Sequence, residues 1–177
     1  MKPLKGTNIF LRALEQKDLS FLYNVENSKA VWEISGTITP YSEDVLQLYL
    51  DNAHRDIFDV KQLRLVICDI DEKAIGLIDL FDFDPQHKRA GVGIVILETA
   101  AREQGFGSEA LEVLCNYAFS ILDLKQLYAN ILESNTRGLH VFKKLGFKIV
   151  GVKEDWIFYN GHFKNEVLLQ KVKNICI

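Results

Sequence analysis

The chain has 177 residues, of which 48% are hydrophobic and 25% charged, and this composition predicts a single globular domain over residues 1–177. Its formal net charge of −3 argues against nucleic acid as a partner, because nucleic-acid-binding domains are usually basic. Charges interrupt the N-terminal apolar residues, and no apolar run approaches the ~20 residues of a membrane span, so neither a signal peptide nor a membrane partner is predicted. The three cysteines and four histidines are scattered, which predicts no metal site and a cytoplasmic location.

Strands and helices alternate from the N-terminus onward. The apolar pattern predicts a strand over residues 8–14 and a helix over 16–27, and Ser42 is suited to cap a second helix. Two further strands, over 63–70 and 73–83, flank an acidic turn and predict an antiparallel hairpin.

The second half continues the alternation. A strand over residues 90–97 leads into a helix over 105–120, and a strand over 125–132 leads into a helix over 135–146. The Asn-Gly pair at 160–161 predicts the two-residue turn of a terminal hairpin. Antiparallel strands followed by a strand–helix–strand–helix unit predict an α/β fold with a mixed sheet.

The stretch REQGFGSEAL, at residues 102–111, places Gly105 and Gly107 at the start of a predicted helix directly after a strand. The first amides of a helix and the positive end of its dipole form a general anion site, and glycines let a phosphate approach the main chain. Arg102 adds a positive charge, but neither a Walker loop nor a complete dinucleotide motif occurs. From these residues alone, an anion site and a plain tight turn both remain open.

A second motif lies one strand further on, where Asn135 opens a helix that ends in Leu-Gly-Phe at 145–147. Together with Arg102, Gly105 and Gly107, which match an R/Q-x-x-G-x-G/A loop, it makes the chain resemble the GCN5-related N-acetyltransferase (GNAT) superfamily. The whole-chain pattern is similar to two of its groups, the spermidine/spermine acetyltransferases and the ribosomal-protein N-terminal acetyltransferases. Stretches such as HKRA and FYNGHFKNE favour the first group.

The resemblance implies a GNAT-like fold, a mixed, mostly antiparallel sheet with a splayed parallel pair, flanked by helices. It also implies acetyl-CoA as the co-substrate. The main chain at Ile96 and Leu97 would pair with the pantetheine arm and hold the thioester carbonyl. Asn135 would hold the same arm or simply cap its helix, and Phe142 would lie beside it. The pyrophosphate would bind around the helix start, at Arg102, Gln104, Gly105, Phe106, Gly107 and Ser108.

Two positions depart from the family pattern. Many relatives have a tyrosine at the position of Phe142, where it protonates the leaving thiolate, and a glutamate at the position of Gly91, where it acts as a base or positions water. Phenylalanine has no proton to give, and general acid catalysis is typically worth 10²–10⁴-fold in rate. A thiolate of pKa near 8.5 is nevertheless a tolerable leaving group at neutral pH.

The resemblance also predicts where an amine acceptor would bind, because polyamine-acetylating relatives line that pocket with acidic residues. Glu33 is the carboxylate available in the segment before residue 40, and it is the one predicted catalytic residue. Asp79, Asp82 and Asp84 on the next hairpin are further candidates. For each of them, a solvated surface carboxylate is the alternative.

The function implied is direct transfer of acetyl from acetyl-CoA to the primary amine of a small molecule, such as a polyamine, in a ternary complex. Two alternatives stay open. One is an acetyltransferase for the N-terminus of a ribosomal or other protein. The other is an acetyl-CoA-binding module with little catalysis, which the replaced acid and base favour. Because relatives often associate, a homo-oligomer is also expected.

Overall fold

The alternating pattern folds into one sheet with helices on both faces. The computed structural model describes residues 4–97 and 104–173. Its strands are β1 (Ile9–Ala13), β2 (Leu63–Asp69), β3 (Ala74–Asp84), β4 (Arg89–Ile96), β5 (Gln126–Leu132), β6 (Lys148–Tyr159) and β7 (His162–Val172). They lie in the order β1-β2-β3-β4-β5-β7-β6, and only β4 and β5 are parallel neighbours. The α/β class and the mixed, mostly antiparallel sheet are therefore confirmed.

The helices of the described ranges are α1 (Leu19–Glu26), α2 (Lys29–Ser35), α3 (Glu43–Asp51), α4 (Ile57–Val60), α5 (Phe106–Ser120) and α6 (Thr136–Lys144). A 3-10 turn at Gln16–Asp18 precedes α1. Helices α2 and α4 were not predicted, because seven and four residues are too few for a clear helical period. Gly36, at φ +71°, ends α2. In the described part of the chain, no helix is long and apolar enough to span a membrane.

Each face of the sheet has its own core. Alternate strand residues such as Ile67, Ile78 and Leu127 pack against α5 and α6. The residues between them, such as Val66 and Leu77, pack against α1, α2 and α3 on the opposite face. The described chain is thus a three-layer arrangement of helices, sheet and helices.

The terminal hairpin turns where the Asn-Gly pair predicted. Asn160 and Gly161 have φ values of +51° and +80°, and Tyr159 pairs with His162 across the turn. Both positive φ values match the type I′ turn, which needs residues that tolerate the left-handed region. The hairpin leaves β6 at the edge of the sheet.

Strands β4 and β5 are paired only at their N-terminal ends. Their register runs over three residue pairs and ends at Gly91 and Tyr128. Beyond that point β4 stays paired with β3 as far as Ile96, and β5 stays paired with β7 as far as Leu132, so the two strands splay apart. The ring of Phe81 lies over Gly91 at the last paired position, where a Cβ would overlap it.

Candidate active site at the splayed strands

Two cavities meet at the opening between β4 and β5. The larger, about 460 Å³, reaches α1 and α2 on one side of the sheet, and the smaller, about 200 Å³, reaches the first turns of α5 and α6. Because they share part of their wall, two ligands entering from opposite sides would meet there. The shared residues are Val31, Ile34, Ile94, Val95, Asn135, Gly138 and Phe142.

The smaller cavity is bounded by the N-terminus of α5. Gly105 adopts the left-handed conformation, with φ +80°, directly before the helix begins. A Cβ at Gly107 would lie 3.7 Å from Ile96 and 3.8 Å from Ile94, so that glycine widens the cavity next to the splayed strand. Ser108 also lines this wall. The amides of a first helical turn have no partner in the preceding turn, which makes this end of the cavity suitable for an anion.

Glu109 ties the start of α5 to the chain ahead of β1. Its carboxylate accepts hydrogen bonds from the backbone N–H of Thr7 and from that of Asn8 at 2.8 Å, and from Asn8 Nδ2 at 3.1 Å. Burial alone would raise the pKa of Glu109, but these hydrogen bonds outweigh burial and lower it. The helix start is therefore held in place by an ionised, hydrogen-bonded carboxylate.

The side chains of the other predicted residues of the anion site do not line the smaller cavity or fall outside the described ranges. Gln104 is exposed in the turn before α5, and Phe106 packs against the core. Arg102 lies outside the described residues.

The splayed edge of β4 presents alternate backbone groups. The N–H of Leu97 donates to the carbonyl of Ile75 at 3.0 Å, so it points toward β3. Backbone groups alternate along an antiparallel strand, so those of Ile94 and Ile96 point the other way, toward the splay. The N–H of Leu97 thus takes part in the sheet, and the assignment of the main chain at Ile96 and Leu97 to the pantetheine arm stays a prediction.

Asn135 is the N-cap of α6 and lines both cavities. Its Oδ1 accepts a hydrogen bond from the backbone N–H of Gly138 at 2.9 Å. The capping role considered from the sequence is therefore present, and the amide nitrogen of the side chain borders the same cavities.

Phe142 lines both cavities although it is only 3% exposed. Its ring packs edge-on against Phe147, with the centroids 4.9 Å apart. The position that carries an acid-donating tyrosine in many relatives is thus at the junction of the cavities, and here it is apolar.

Among the described residues, four carboxylates and one guanidinium line the larger cavity. Arg64 Nε donates to Asp79 Oδ1 at 2.6 Å, and Arg64 Nη1 donates to Glu26 Oε1 at 2.6 Å. Burial alone would lower the pKa of Arg64, but the two carboxylates outweigh burial and raise it. Asp79 and Glu26 are therefore held by a permanent charge at the cavity wall.

The other two carboxylates face lysines of the terminal hairpin. Glu33, on α2, pairs with Lys164, and Glu166, on β7, pairs with Lys153. Lys153 Nζ also donates to Asn130 Oδ1 at 3.0 Å. Each of the four carboxylates therefore has a cationic partner. The three cations are Arg64, Lys153 and Lys164.

Asp82 and Asp84 correct one expectation from the sequence. They line a separate cleft near the other end of the sheet, not the larger cavity. Asp82 accepts a hydrogen bond from the hydroxyl of Tyr128 at 3.0 Å, and Asp84 pairs with Arg89. Burial, together with the bond to Asp82, raises the pKa of Tyr128 to about 12. A positive φ at Asp82 and a register shift after Phe81 turn this end of β3 away from the cavity.

Of the charged residues that line the larger cavity, the sequence predicted Glu33 and Asp79 as acceptor-site candidates. It did not predict Glu26, Arg64 and Glu166. In the structure β2 and β3 place Arg64 directly opposite Asp79, but only beyond a register shift between Ile67 and Cys68, so the predicted hairpin alone did not mark the pair. The contact of Glu33 with Lys164, 131 residues apart, had no local signal.

Comparison with known proteins agrees with this geometry. A family model described as an acetyltransferase (GNAT) domain matches residues 8–148. The spermidine N(1)-acetyltransferase of Escherichia coli (strain K12) is 30% identical over 161 residues, which cover 90% of this chain and 83% of that protein. The corresponding protein of Vibrio cholerae is 28% identical over 162 residues, which cover 90% of each chain.

Solved structures show the same similarity. A crystal structure of spermidine N-acetyltransferase from Vibrio cholerae, in complex with CoA and spermine, superimposes with a TM-score of 0.85 at 26% identity, covering 94% of this chain and 96% of the other. A dodecameric structure of the Vibrio cholerae enzyme has a TM-score of 0.78 at 28% identity and covers 94% of this chain and 95% of the other. The chain therefore belongs to the acetyltransferase (GNAT) domain family: it is an N-acetyltransferase, and its co-substrate is acetyl-CoA.

Proposed function

We propose that this protein transfers the acetyl group of acetyl-CoA to a primary amine of a polyamine such as spermidine. The observation that carries the proposal is the set of four carboxylates that the described residues contribute to the larger cavity, where they pair with Arg64, Lys153 and Lys164. Aliphatic amines have pKa values near 10, so a polyamine is a polycation at neutral pH and complements this wall. The names of the relatives support the same acceptor, since one is a spermidine N(1)-acetyltransferase and another was solved with CoA and spermine.

We assign acetyl-CoA to the smaller cavity and the splay. The backbone amides at the start of α5, from Gln104 to Ser108, would hold the pyrophosphate together with Arg102. The main chain at the end of β4, around Ile96 and Leu97, would pair with the pantetheine arm in the splay, where β4 no longer pairs with β5. The side chains of Asn135 and Phe142 would border that arm. These assignments remain predictions from the family resemblance, to which the cavity around Ile96 and Gly107 adds support.

The contribution of the chain is mainly positioning. Holding two reactants in line is worth roughly 7–11 kcal/mol of barrier, and the cavities meet where the two would lie. A backbone N–H of the splayed strand would donate to the thioester carbonyl. A thiol has a pKa of about 8.5, so its thiolate can leave near neutral pH without being protonated by an acid. The absence of a hydroxyl at Phe142 therefore slows the reaction without preventing it. The catalytic role predicted for Glu33 stays a prediction.

We also infer that residues 1–177 act as a single domain in a homo-oligomer. A Vibrio cholerae relative was solved as a dodecamer. In this chain, Trp156, Phe158 and Phe163 of the edge hairpin are each at least 60% exposed. Large exposed aromatic side chains are typical of surfaces that another protein covers.

The experiment that tests the function is CoA release from acetyl-CoA with a panel of acceptors: spermidine, spermine, putrescine, an aminoglycoside and short peptides. We expect turnover with the polyamines and background rates with the peptides. Preference for a peptide would instead assign the protein to the N-terminal acetyltransferases. No turnover, with acetyl-CoA still raising the melting temperature, would make it a binding module.

A further inference from the structure

Lys164 places an ammonium group against the acidic cavity from within the chain. Its Nζ contacts Glu33 Oε1 and lies 5.4 Å from the centroid of the Tyr159 ring. A carboxylate and an aromatic face are two of the groups that bind ammonium ions in proteins. The chain therefore supplies both an ammonium site and an ammonium that fills it.

Glu33 and Lys164 are brought together from two separate elements of the fold. Glu33 lies on α2 and is a lining residue of the larger cavity, whereas Lys164 lies on β7, near the tip of the terminal hairpin. The two side chains are 32% and 30% exposed. Water and solutes can therefore reach this ion pair, which makes exchange of one cation for another feasible.

The other carboxylates of the cavity are held more firmly. Arg64 is a permanent cation that bonds Asp79 through two nitrogens and Glu26 through a third. Lys153, the partner of Glu166, also donates to Asn130 and lies 4.9 Å from the centroid of the Trp156 ring. Lys164 has a carboxylate and one ring as its described partners, so Glu33 is the carboxylate that is released most easily.

We propose that Lys164 is an internal competitor for the substrate: it occupies Glu33 until the second ammonium of a bound polyamine displaces it. The inference rests on the proposed function. An amine must be neutral to attack a thioester, so the reacting end of the substrate cannot supply the displacing charge. A diamine or polyamine retains a second ammonium, which can bind Glu33. Because that ammonium must displace Lys164, the Lys164–Glu33 ion pair raises the substrate concentration at which the enzyme is saturated.

The test is a double-mutant cycle on the full chain, with KM and kcat for spermidine and calorimetric binding of spermidine without acetyl-CoA. Lys164→Met is expected to lower both KM and the dissociation constant by about two- to fivefold, the size of a partly exposed ion pair, and to leave kcat within twofold. In the Glu33→Gln background the same change should have no effect, since there is no carboxylate to compete for. Lys148→Met removes an equal charge at the exposed start of β6, and it should leave both constants unchanged.

Lys164→Arg keeps a cation beside Glu33 and is expected to keep KM at or above the wild-type value, which provides a second variant if Lys164→Met fails to fold. The inference is overturned if Lys164→Met leaves KM unchanged or raises it. It is also overturned if Lys148→Met, or Lys164→Met in the Glu33→Gln background, gives the same decrease. If the wild type does not acetylate spermidine at all, the proposed function fails and this inference fails with it. If the wild type acetylates spermidine, the proposed function holds, and the KM values of the variants alone decide whether Lys164 competes with the substrate.

Discussion

Gly138 lies directly beneath the side chain of Asn135. Its N–H donates to Asn135 Oδ1 at 2.9 Å, and a Cβ at this position would lie 2.7 Å from Asn135 Nδ2. A side chain at residue 138 would therefore crowd the present position of the Asn135 side chain, and Asn135 both caps α6 and lines the cavities. This pair connects the stability of the helix to the shape of the site.

Substitutions at Asn135 separate these two roles. Asn135→Ala is expected to lower the free energy of unfolding by about 1 kcal/mol, because an N-cap is lost, and to raise KM for acetyl-CoA. Asn135→Asp keeps the accepting oxygen, so urea unfolding should show near wild-type stability, while KM for acetyl-CoA should still rise. If Asn135→Asp retains both stability and KM, the side chain is a helix cap alone.

Phe142→Tyr tests the vacant acid position. The ring lies at the junction of the two cavities, so a hydroxyl there is expected to protonate the leaving thiolate and to raise kcat for spermidine by tenfold or more, toward the range typical of general acid catalysis. The measurement is steady-state CoA release. An unchanged or lower kcat would mean that the proton follows a different path in this protein.

Gly91 lies against the ring of Phe81 on the neighbouring strand β3. A Cβ at this position would overlap the Phe81 ring, whereas a Cβ at Gly93 would lie 3.8 Å from the same ring, an ordinary contact. Gly91→Ala is expected to lower the free energy of unfolding by about 1–3 kcal/mol through overpacking.

Gly93→Ala is the matched control on the same strand, and we expect it to leave stability within about 0.5 kcal/mol or to raise it slightly. Urea denaturation of both variants gives the comparison. Equal stability of the two would show that Phe81 moves aside at little cost, and that a glutamate at position 91 is sterically tolerated.

Asp18 predicts a pH-dependent part of the stability. It is 4% exposed and accepts hydrogen bonds from Arg12 at 2.7 and 2.8 Å and from the backbone N–H of Glu15 at 2.8 Å. Burial would raise the pKa of Asp18, but the hydrogen bonds from Arg12 and Glu15 outweigh it and lower the pKa. Because the folded pKa is below the unfolded one, the stabilisation is complete above about pH 4 and is lost as the pH falls through the folded value.

Asp18→Asn is therefore expected to lower the free energy of unfolding by about 1–3 kcal/mol at pH 7 and by less at pH 3. Urea denaturation at the two pH values measures the difference. Asp51, which is exposed on α3, provides a control in Asp51→Asn, whose effect should be small at both pH values. If Asp18→Asn lowers the free energy of unfolding as much at pH 3 as at pH 7, Asp18 is not an ionised carboxylate with a lowered pKa in the folded protein.

Local patterns predicted the parts of the protein that local physics determines. The Asn160–Gly161 turn, the glycine start of α5 and the Asn135 start of α6 all follow from backbone preferences of a few residues. The acidic wall did not follow, because Glu26 and Glu166 meet only after α1 and β7 have packed around the same cavity. The positions of Asp82 and Asp84 were also misjudged, since no glycine or proline lies within residues 81–84, where the register shift moves these side chains away from the cavity.

The most direct test of the central claim is mass spectrometry of the products when the purified protein acts on acetyl-CoA with equal concentrations of spermidine, an aminoglycoside and a short peptide. The account predicts that acetylspermidine is the dominant product, because the second ammonium of spermidine binds the acidic wall that contains Glu33. Acetylation mainly of the peptide or of the aminoglycoside would contradict it.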